Sequence, residues 1–273
     1  MIKINLNRLF FFLMLCFLFN TSFAKSSDWD FLIPDKLQKN TRTHYLERLD
    51  IVFAYFLKKS LRGKGKKDFF TVVKRVKKRI FWKLDKNKKN VFVDAYQRSY
   101  PSVKKYKLPA KVPAFILLIP YIESLWHPKA GRPSKDYGYW QLIPSIVKEI
   151  KKLPTTPAYL KKKGINTLRS NHKLSTAVAL IHLQRYYFYF HSKAKFNKTD
   201  AWLFSIVSYN WGVGNVKRML IKMKKKKIRL NFSNFYHHLY HRYKRKKTTR
   251  SLRSAVEYLP HLWNILQVIR QQH

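Results

Sequence analysis

At 273 residues, 46% of them hydrophobic and 16% aromatic, the chain is long enough to bury one substantial core, and nothing in its length calls for a second domain. A single cysteine excludes a disulfide framework, so stability must come from packing. With 58 Lys and Arg against 13 Asp and Glu the net charge is +45, which points to anionic surroundings.

The first 24 residues read as a secretory signal peptide: Lys3 and Arg8, an unbroken apolar run from Leu9 to Phe19, then Ser22-Phe23-Ala24 with small residues three and one before a cleavage point. That run is well short of the roughly 20 residues needed to span a bilayer as a helix. Export to the periplasm or beyond is therefore expected, with the protein associated with the cell envelope. Cys16 lies inside the run and follows Leu15, unlike a lipoprotein cysteine, which follows a small residue. Loss of Lys3 and Arg8 with the leader takes the charge from +45 to +43. The sign of that charge alone does not separate nucleic acid, anionic lipid and acidic wall polymer; export favours an envelope polymer.

Residues 25–94 read as a basic helical flank and 95–273 as the main body. Within the flank, 44–59 (HYLERLDIVFAYFLKK) and 68–84 (DFFTVVKRVKKRIFWKL) fit amphipathic helices with basic outer faces, separated by a loop at Arg62–Lys67 that holds two glycines. Past Pro101, Pro109 and Pro113 punctuate the approach to PAFILLIPYIES, an apolar helix that ends by presenting Glu123 and that Pro120 bends just before the acid. A second buried helix runs from Ser175 to about Phe190, with Ser175 or Thr176 as its cap. A third starts near Thr199 and runs through AWLFSIVSYN to a turn marked by Gly212 and Gly214. Seven glycines, few alternating β-branched stretches and apolar spacing of three and four residues make the expected fold mainly α.

Glu123 closes an apolar stretch and, with Asp136, is among the few acids of the central region. A carboxyl group in an apolar setting resists ionisation and stays protonated near neutrality, which is what a general acid needs at the leaving oxygen of a glycosidic bond. The ten histidines are scattered, with His237-His238 and His241 a weak cluster, and neither metal nor cofactor is expected.

Around that acid several short motifs follow in order: Glu123-Ser124, Gly138-Tyr139-Trp140-Gln141, Ser175-Thr176, Ser208-Tyr209-Asn210-Trp211-Gly212 and Glu257-Tyr258-Leu259-Pro260. Over roughly residues 95 to 265 this resembles the catalytic domain of the soluble-lytic-transglycosylase type. It is most similar to the membrane-bound lytic murein transglycosylase D branch, whose motifs run E-S, G-L-W-Q, S-T, A-Y-N-A-G and E-T-x-x-Y-V-P. The resemblance implies a lysozyme-like helical fold. It also implies water-free cleavage of the bond between N-acetylmuramic acid and N-acetylglucosamine, leaving 1,6-anhydro ends, with Glu123 as acid and then base. Carried over position by position, Gln141 and Asn210 hydrogen-bond the sugar, Tyr258 orients Glu123, Ser124 supports the acid's neighbourhood and Tyr209 walls the cleft. The implied partner is the peptidoglycan glycan strand, with other anionic envelope polymers as further candidates and no nucleic acid.

Departures from the pattern fall next to the cleft. Arg132, Lys135 and Asp136 stand where the family has small residues between Ala130 and Gly138. Trp211 replaces an alanine, and the acidic element before the S-T motif is replaced by Leu168-Arg169-Ser170-Asn171. Two other readings stay open: a muramidase in which Asp136 positions a hydrolytic water, and a non-catalytic cationic wall-binding protein.

Overall fold

A computed structural model describes residues 45–104, 108–109, 112–245 and 249–271, with the backbone alone at 45–48. The leader expected at 1–24, Cys16 included, and the start of the basic flank lie outside the described residues. The described chain is mainly α, the class expected. Its helices are α1 (Tyr45–Ser60), α2 (Gly63–Phe81), α3 (Val91–Val103), a 3-10 segment at Ala114–Leu118 that runs into α4 (Ile119–Ser124), α5 (Pro144–Lys152), α6 (Ala158–Lys161) and α7 (Ile165–Ser170). They continue with α8 (His172–Phe188) and its π-helical end at Tyr189–Lys193, then α9 (Lys198–Trp211), α10 (Val213–Lys225), α11 (Phe232–Tyr243) and α12 (Arg250–Arg270). Extended pairing among the described residues is limited to three isolated bridges, Leu84–Asn90, Gly131–Tyr137 and Tyr137–Leu142. No helix among them is long and apolar enough to cross a membrane.

The axis of the body is α9. Every residue from Thr199 to Ser208 is buried, which explains a sequence that is apolar all round instead of striped. Packed around it are α1, α8, α10 and α12. The last of these also lies against α1, α2, α3, α4 and α11, so the two basic helices of the flank belong to the same body. Buried polar pins fix the register: Asn264 Nδ2 donates to the Val73 carbonyl at 3.0 Å, Tyr236 Oη to the Val256 carbonyl at 2.8 Å, and Ser60 Oγ to Thr199 Oγ1 at 2.9 Å.

Several boundaries differ from the sequence expectation, each for a local reason. The loop expected at Arg62–Lys67 is helical from Gly63 onward. Gly65 is there for space: a Cβ on it would lie 2.2 Å from the Ser233 carbonyl oxygen, so α2 and α11 cross at backbone contact. α2 stops at Phe81, short of residue 84, because the Asn90 amide donates to the carbonyls of Ile80 and Phe81 at 2.9 Å each while its Oδ1 accepts from the Phe92 and Val93 N–H groups. One side chain thus closes α2 and caps α3. PAFILLIPYIES is not one helix. Pro120 sits in the first turn of α4, where a missing N–H leaves no bond unmade, so the proline starts the acid-bearing helix and does not bend it. α8 begins three residues before the expected cap, since Asn171 Oδ1 accepts from the Lys173 and Leu174 N–H groups at 3.1 Å. Gly212, at φ +80°, makes the turn after α9, whereas Gly214 is already inside α10.

Because the atom facing Gly65 is the backbone carbonyl oxygen of a buried residue within α11, it has no free rotation by which to yield. Gly65→Ala is therefore expected to lower stability by about 2 kcal/mol, and chemical denaturation monitored by circular dichroism checks it; an unchanged midpoint would show that the crossing tolerates a side chain.

Candidate active site

α4 is six residues long and ends against a strained turn. Leu125 and Trp126, at φ +51° and +57°, are both left-handed without being glycine, and Gln141 across the site is at φ +48°. Such backbone persists only where surrounding contacts over-determine it. Trp126 is buried and stacks on Tyr121 with ring centroids 5.6 Å apart, and the Leu125 and Trp126 N–H groups bond back to the Tyr121 and Pro120 carbonyls. The turn holds the end of α4, and with it Glu123, at a fixed point.

Glu123 is half-buried. Its Oε1 accepts a 2.5 Å hydrogen bond from Tyr258 Oη, which comes from α12 and is buried. Burial pushes the Glu123 carboxyl up to about 7 from an ordinary 4.5. The Tyr258 hydrogen bond pulls the other way, and the charge of Asp136 adds a smaller upward push. Tyr258 and Tyr209 are themselves pushed well above the ordinary tyrosine range by burial and by the negative charge of Glu123, so both stay protonated donors. Tyr209 Oη donates to the Trp140 carbonyl at 2.5 Å.

The remaining motif residues form the frame. Ser124 Oγ donates to the carbonyls of Tyr139 at 2.7 Å and Pro120 at 3.1 Å, tying the end of α4 to the 138–141 turn. Both donors of the Gln141 amide are taken, by the Ala130 carbonyl at 3.0 Å and the Gly138 carbonyl at 2.8 Å, which leaves Oε1 as its free function. Trp140 is fully buried and donates through Nε1 to Thr176 Oγ1 at 3.0 Å, linking the second and third motifs. Gly138, at φ +78°, has its α-carbon against the Arg169 carbonyl, where a Cβ would come within 2.0 Å. Asn210 Oδ1 accepts from Ser254 Oγ at 3.0 Å. Among the described residues no hydrogen bond joins Gln141 or Asn210 to Glu123.

Arg169 is a residue that the sequence did not single out as functional. It is 1% exposed, and its guanidinium donates to the carbonyls of Lys135 at 2.9 Å and Leu142 at 3.2 Å, to the Pro133 carbonyl and to Asn166 Oδ1, while lying over the Tyr137 ring. A buried cation held by carbonyls with no carboxylate beside it is an expensive device. Here it shapes the 131–142 loop in which Arg132, Lys135 and Asp136 replace small residues. Its signal in the sequence is the departure at Leu168-Arg169-Ser170-Asn171, which does not by itself assign the arginine a role.

Residues 102–232 match the family profile described as Transglycosylase SLT domain. The match takes in just under half of the chain, so an SLT domain is found at residues 102–232 and no family is assigned to the rest. That domain supports lytic transglycosylase activity in general and a peptidoglycan substrate. No curated protein matches the chain. The SLT match takes in Glu123, Ser124, Gln141, Tyr209 and Asn210 but ends at the first residue of α11 and before α12, so Tyr258 reaches the acid from outside it. Beside Asn210, a cavity of about 410 Å³ is lined by Trp211, Arg218, Lys222, Arg242 and Arg245 and by no acid.

The raised value of Glu123 has a thermodynamic consequence with a definite sign. The folded acid, at about 7, holds its proton more tightly than the unfolded chain at 4.5. Below about pH 4.5 both states are protonated and nothing is lost; from there to about pH 7 stability falls as pH rises, and above that window the full penalty applies. Glu123→Gln escapes the penalty, so its stability relative to wild type is expected to improve by about 3 kcal/mol between pH 4 and pH 8. Urea unfolding at the two ends of that range checks it, and a difference that does not move with pH would mean that the acid is not raised.

Proposed function

We propose that the protein is a peptidoglycan lytic transglycosylase that cleaves the bond between N-acetylmuramic acid and N-acetylglucosamine without water, with Glu123 as the one acid and base. The observation that carries this reading is a carboxyl set near 7 by burial inside an SLT domain. At neutral pH such a group is present in both protonation states, as a residue that first donates and then accepts a proton must be. Tyr258 donates to Oε1, which leaves Oε2 as the oxygen that carries the transferable proton.

In the first half of the reaction Glu123 gives its proton to the glucosamine oxygen as the bond from muramic C1 to that oxygen breaks. In the second half the muramic 6-hydroxyl oxygen bonds to C1 and its proton passes to the carboxylate, closing a 1,6-anhydro ring and restoring the acid. The nucleophile belongs to the substrate ring and needs no second carboxylate to activate it. Ser124 fixes the end of α4, Tyr258 orients the carboxyl, Tyr209 walls the cleft, and Gln141 Oε1 and Asn210 are the groups that meet the sugar. The motif order supports placing the chain in the membrane-bound lytic murein transglycosylase D branch. Residues 1–24 would direct export, leaving an envelope-associated enzyme with a basic flank at 25–94 and its catalytic body at 95–273.

Incubating mature protein with purified sacculi and analysing the products by mass spectrometry tests this directly. Anhydro-muropeptides from wild type and none from Glu123→Gln are expected. Reducing-end products would instead assign the chemistry to hydrolysis, with Asp136, whose charge reaches Glu123, as the residue that holds the water. Products from Glu123→Gln would mean that another group is the acid.

The net charge, +43 once the leader is removed, is read as capture of the anionic wall, with the cavity lined by Arg218, Lys222, Arg242 and Arg245 as one place where the charge is concentrated. Between 0.1 and 1 M salt the screening length falls from about 10 to about 3 Å, so binding to sacculi is expected to weaken steeply over that range, and Arg218→Gln with Lys222→Gln to flatten the dependence. Binding that ignores salt would remove polymer capture as the role of the charge.

A further inference from the structure

Asp68 on α2 and His237 and His241 on α11 belong neither to the Glu123 site nor to the segment that matches the SLT profile. The two histidines are one helical turn apart, so their imidazoles stand on the same face of α11, with ring centroids 4.2 Å apart. Asp68 meets them from α2, its Oδ2 lying 2.5 Å from His237 Nδ1. One donor atom from each of the three residues can be chosen so that all lie within 4.8 Å of one another. Asp68 and His237 side chains are 14% and 25% exposed, and His241 is exposed, so the cluster is walled by the two helices and open to water on its outer side.

An aspartate–histidine hydrogen bond accounts for two of these residues and leaves the third unexplained. We propose that Asp68, His237 and His241 form a binding site for a zinc-type divalent cation that clips α2 to α11. Two imidazoles and one carboxylate suit Zn²⁺, whereas Mg²⁺ and Ca²⁺ require oxygen donors. Bond lengths of roughly 2.0–2.2 Å in a tetrahedral site put the donor atoms about 3.3 Å apart. The Asp68–His237 contact must therefore open by about 1 Å and the more distant donors draw in, shifts that side-chain rotation supplies without moving either helix. Water takes the fourth position on the exposed side. Lys226 and Arg75 lie within electrostatic reach of neighbouring His238 and Tyr236 and oppose a dication, but they act from outside the ligand shell, where solvent screens them.

The site would act on stability. α2 and α11 cross at backbone contact at Gly65 and Ser233, and α12, which carries Tyr258, packs against both. A cation bound by all three residues ties that three-helix unit together at a point remote in sequence from the acid.

Chelator-stripped mature protein titrated with Zn²⁺ by calorimetry near neutral pH tests the proposal. One Zn²⁺ per chain is expected, bound more weakly by about tenfold or more in Asp68→Asn and His241→Ala, with no response to Mg²⁺. Zn²⁺ should raise the Tm of wild type by several degrees and leave that of His241→Ala unmoved. His241 is exposed and its replacement leaves the Asp68–His237 pair intact, so that variant is expected to fold, which circular dichroism verifies. Absence of stoichiometric binding to wild type, or equal binding by wild type and His241→Ala, would overturn the proposal. Glycan cleavage by His241→Ala is expected at the wild-type rate, so neither outcome depends on the role of Glu123.

Discussion

The hydrogen bond from Tyr258 to Glu123 joins positions 135 residues apart, and the arrangement of the whole body follows from the need to make it. Glu123 ends a six-residue helix that has little to hold it alone. Tyr258 comes from the middle of a 21-residue helix that lies against α1, α2, α3, α4, α9 and α11. The neighbour of Tyr258, Glu257, is 4% exposed and is bonded by Arg79 at 2.8 Å and Arg75 at 3.4 Å, both on α2. Removing either arginine would leave a buried charge underpaired, and the helix turn that aims Tyr258 would carry the consequence. The basic flank is thus part of the apparatus that sets the acid, although α2 ends about twenty residues before the SLT match begins.

The short motifs gain a physical meaning in this frame that is mostly architectural. The serine after the acid, the tryptophan of Gly138-Tyr139-Trp140-Gln141, the threonine of Ser175-Thr176 and the tyrosine of Ser208-Tyr209-Asn210 form a chain of contacts in which each polar atom satisfies a backbone group or another motif residue. Such a network fixes strained backbone at Leu125, Trp126 and Gln141, and it holds an apolar wall around one carboxyl group. Gln141 illustrates the consequence: with both amide hydrogens committed to the turn, it can meet a sugar only as an acceptor.

What was legible in the sequence was governed by local rules. The mainly α class, the buried α9 and the apolar approach to Glu123 follow from periodicity and composition, and Asn90 and Asn171 show where those rules stop. Asn171 caps α8 ahead of the expected Ser175 or Thr176, and Asn90 closes α2 three residues short of the expected 84, because a single side-chain amide outweighs a few residues of periodicity. Gly65 reads as a loop signal until Ser233, 168 positions on, is seen to need the space. Arg169 was illegible for the same reason: its acceptors are carbonyls at 133, 135 and 142, and carbonyls leave no trace in a sequence.

The scarcity of acids in so basic a chain sharpens the case for Glu123. Nearly every other acid in the described body has a cation or a structural donor: Asp50 with Arg270, Asp68 with His237, Asp94 with Arg98, Glu149 with Arg185, Glu257 with two arginines, and Asp200 accepting from the Phe232 N–H. A carboxylate beside an arginine is held ionised and cannot serve as a proton donor at neutral pH. With 58 cationic residues in the sequence, a buried acid would acquire such a neighbour by default. Glu123 has instead a neutral tyrosine hydroxyl, and among the described residues its charged influence is the like charge of Asp136. Keeping lysine and arginine away from this one carboxyl is therefore a constraint on every loop around it. Arg169 of α7 fits that constraint, being turned inward and spent on backbone carbonyls of the 131–142 loop.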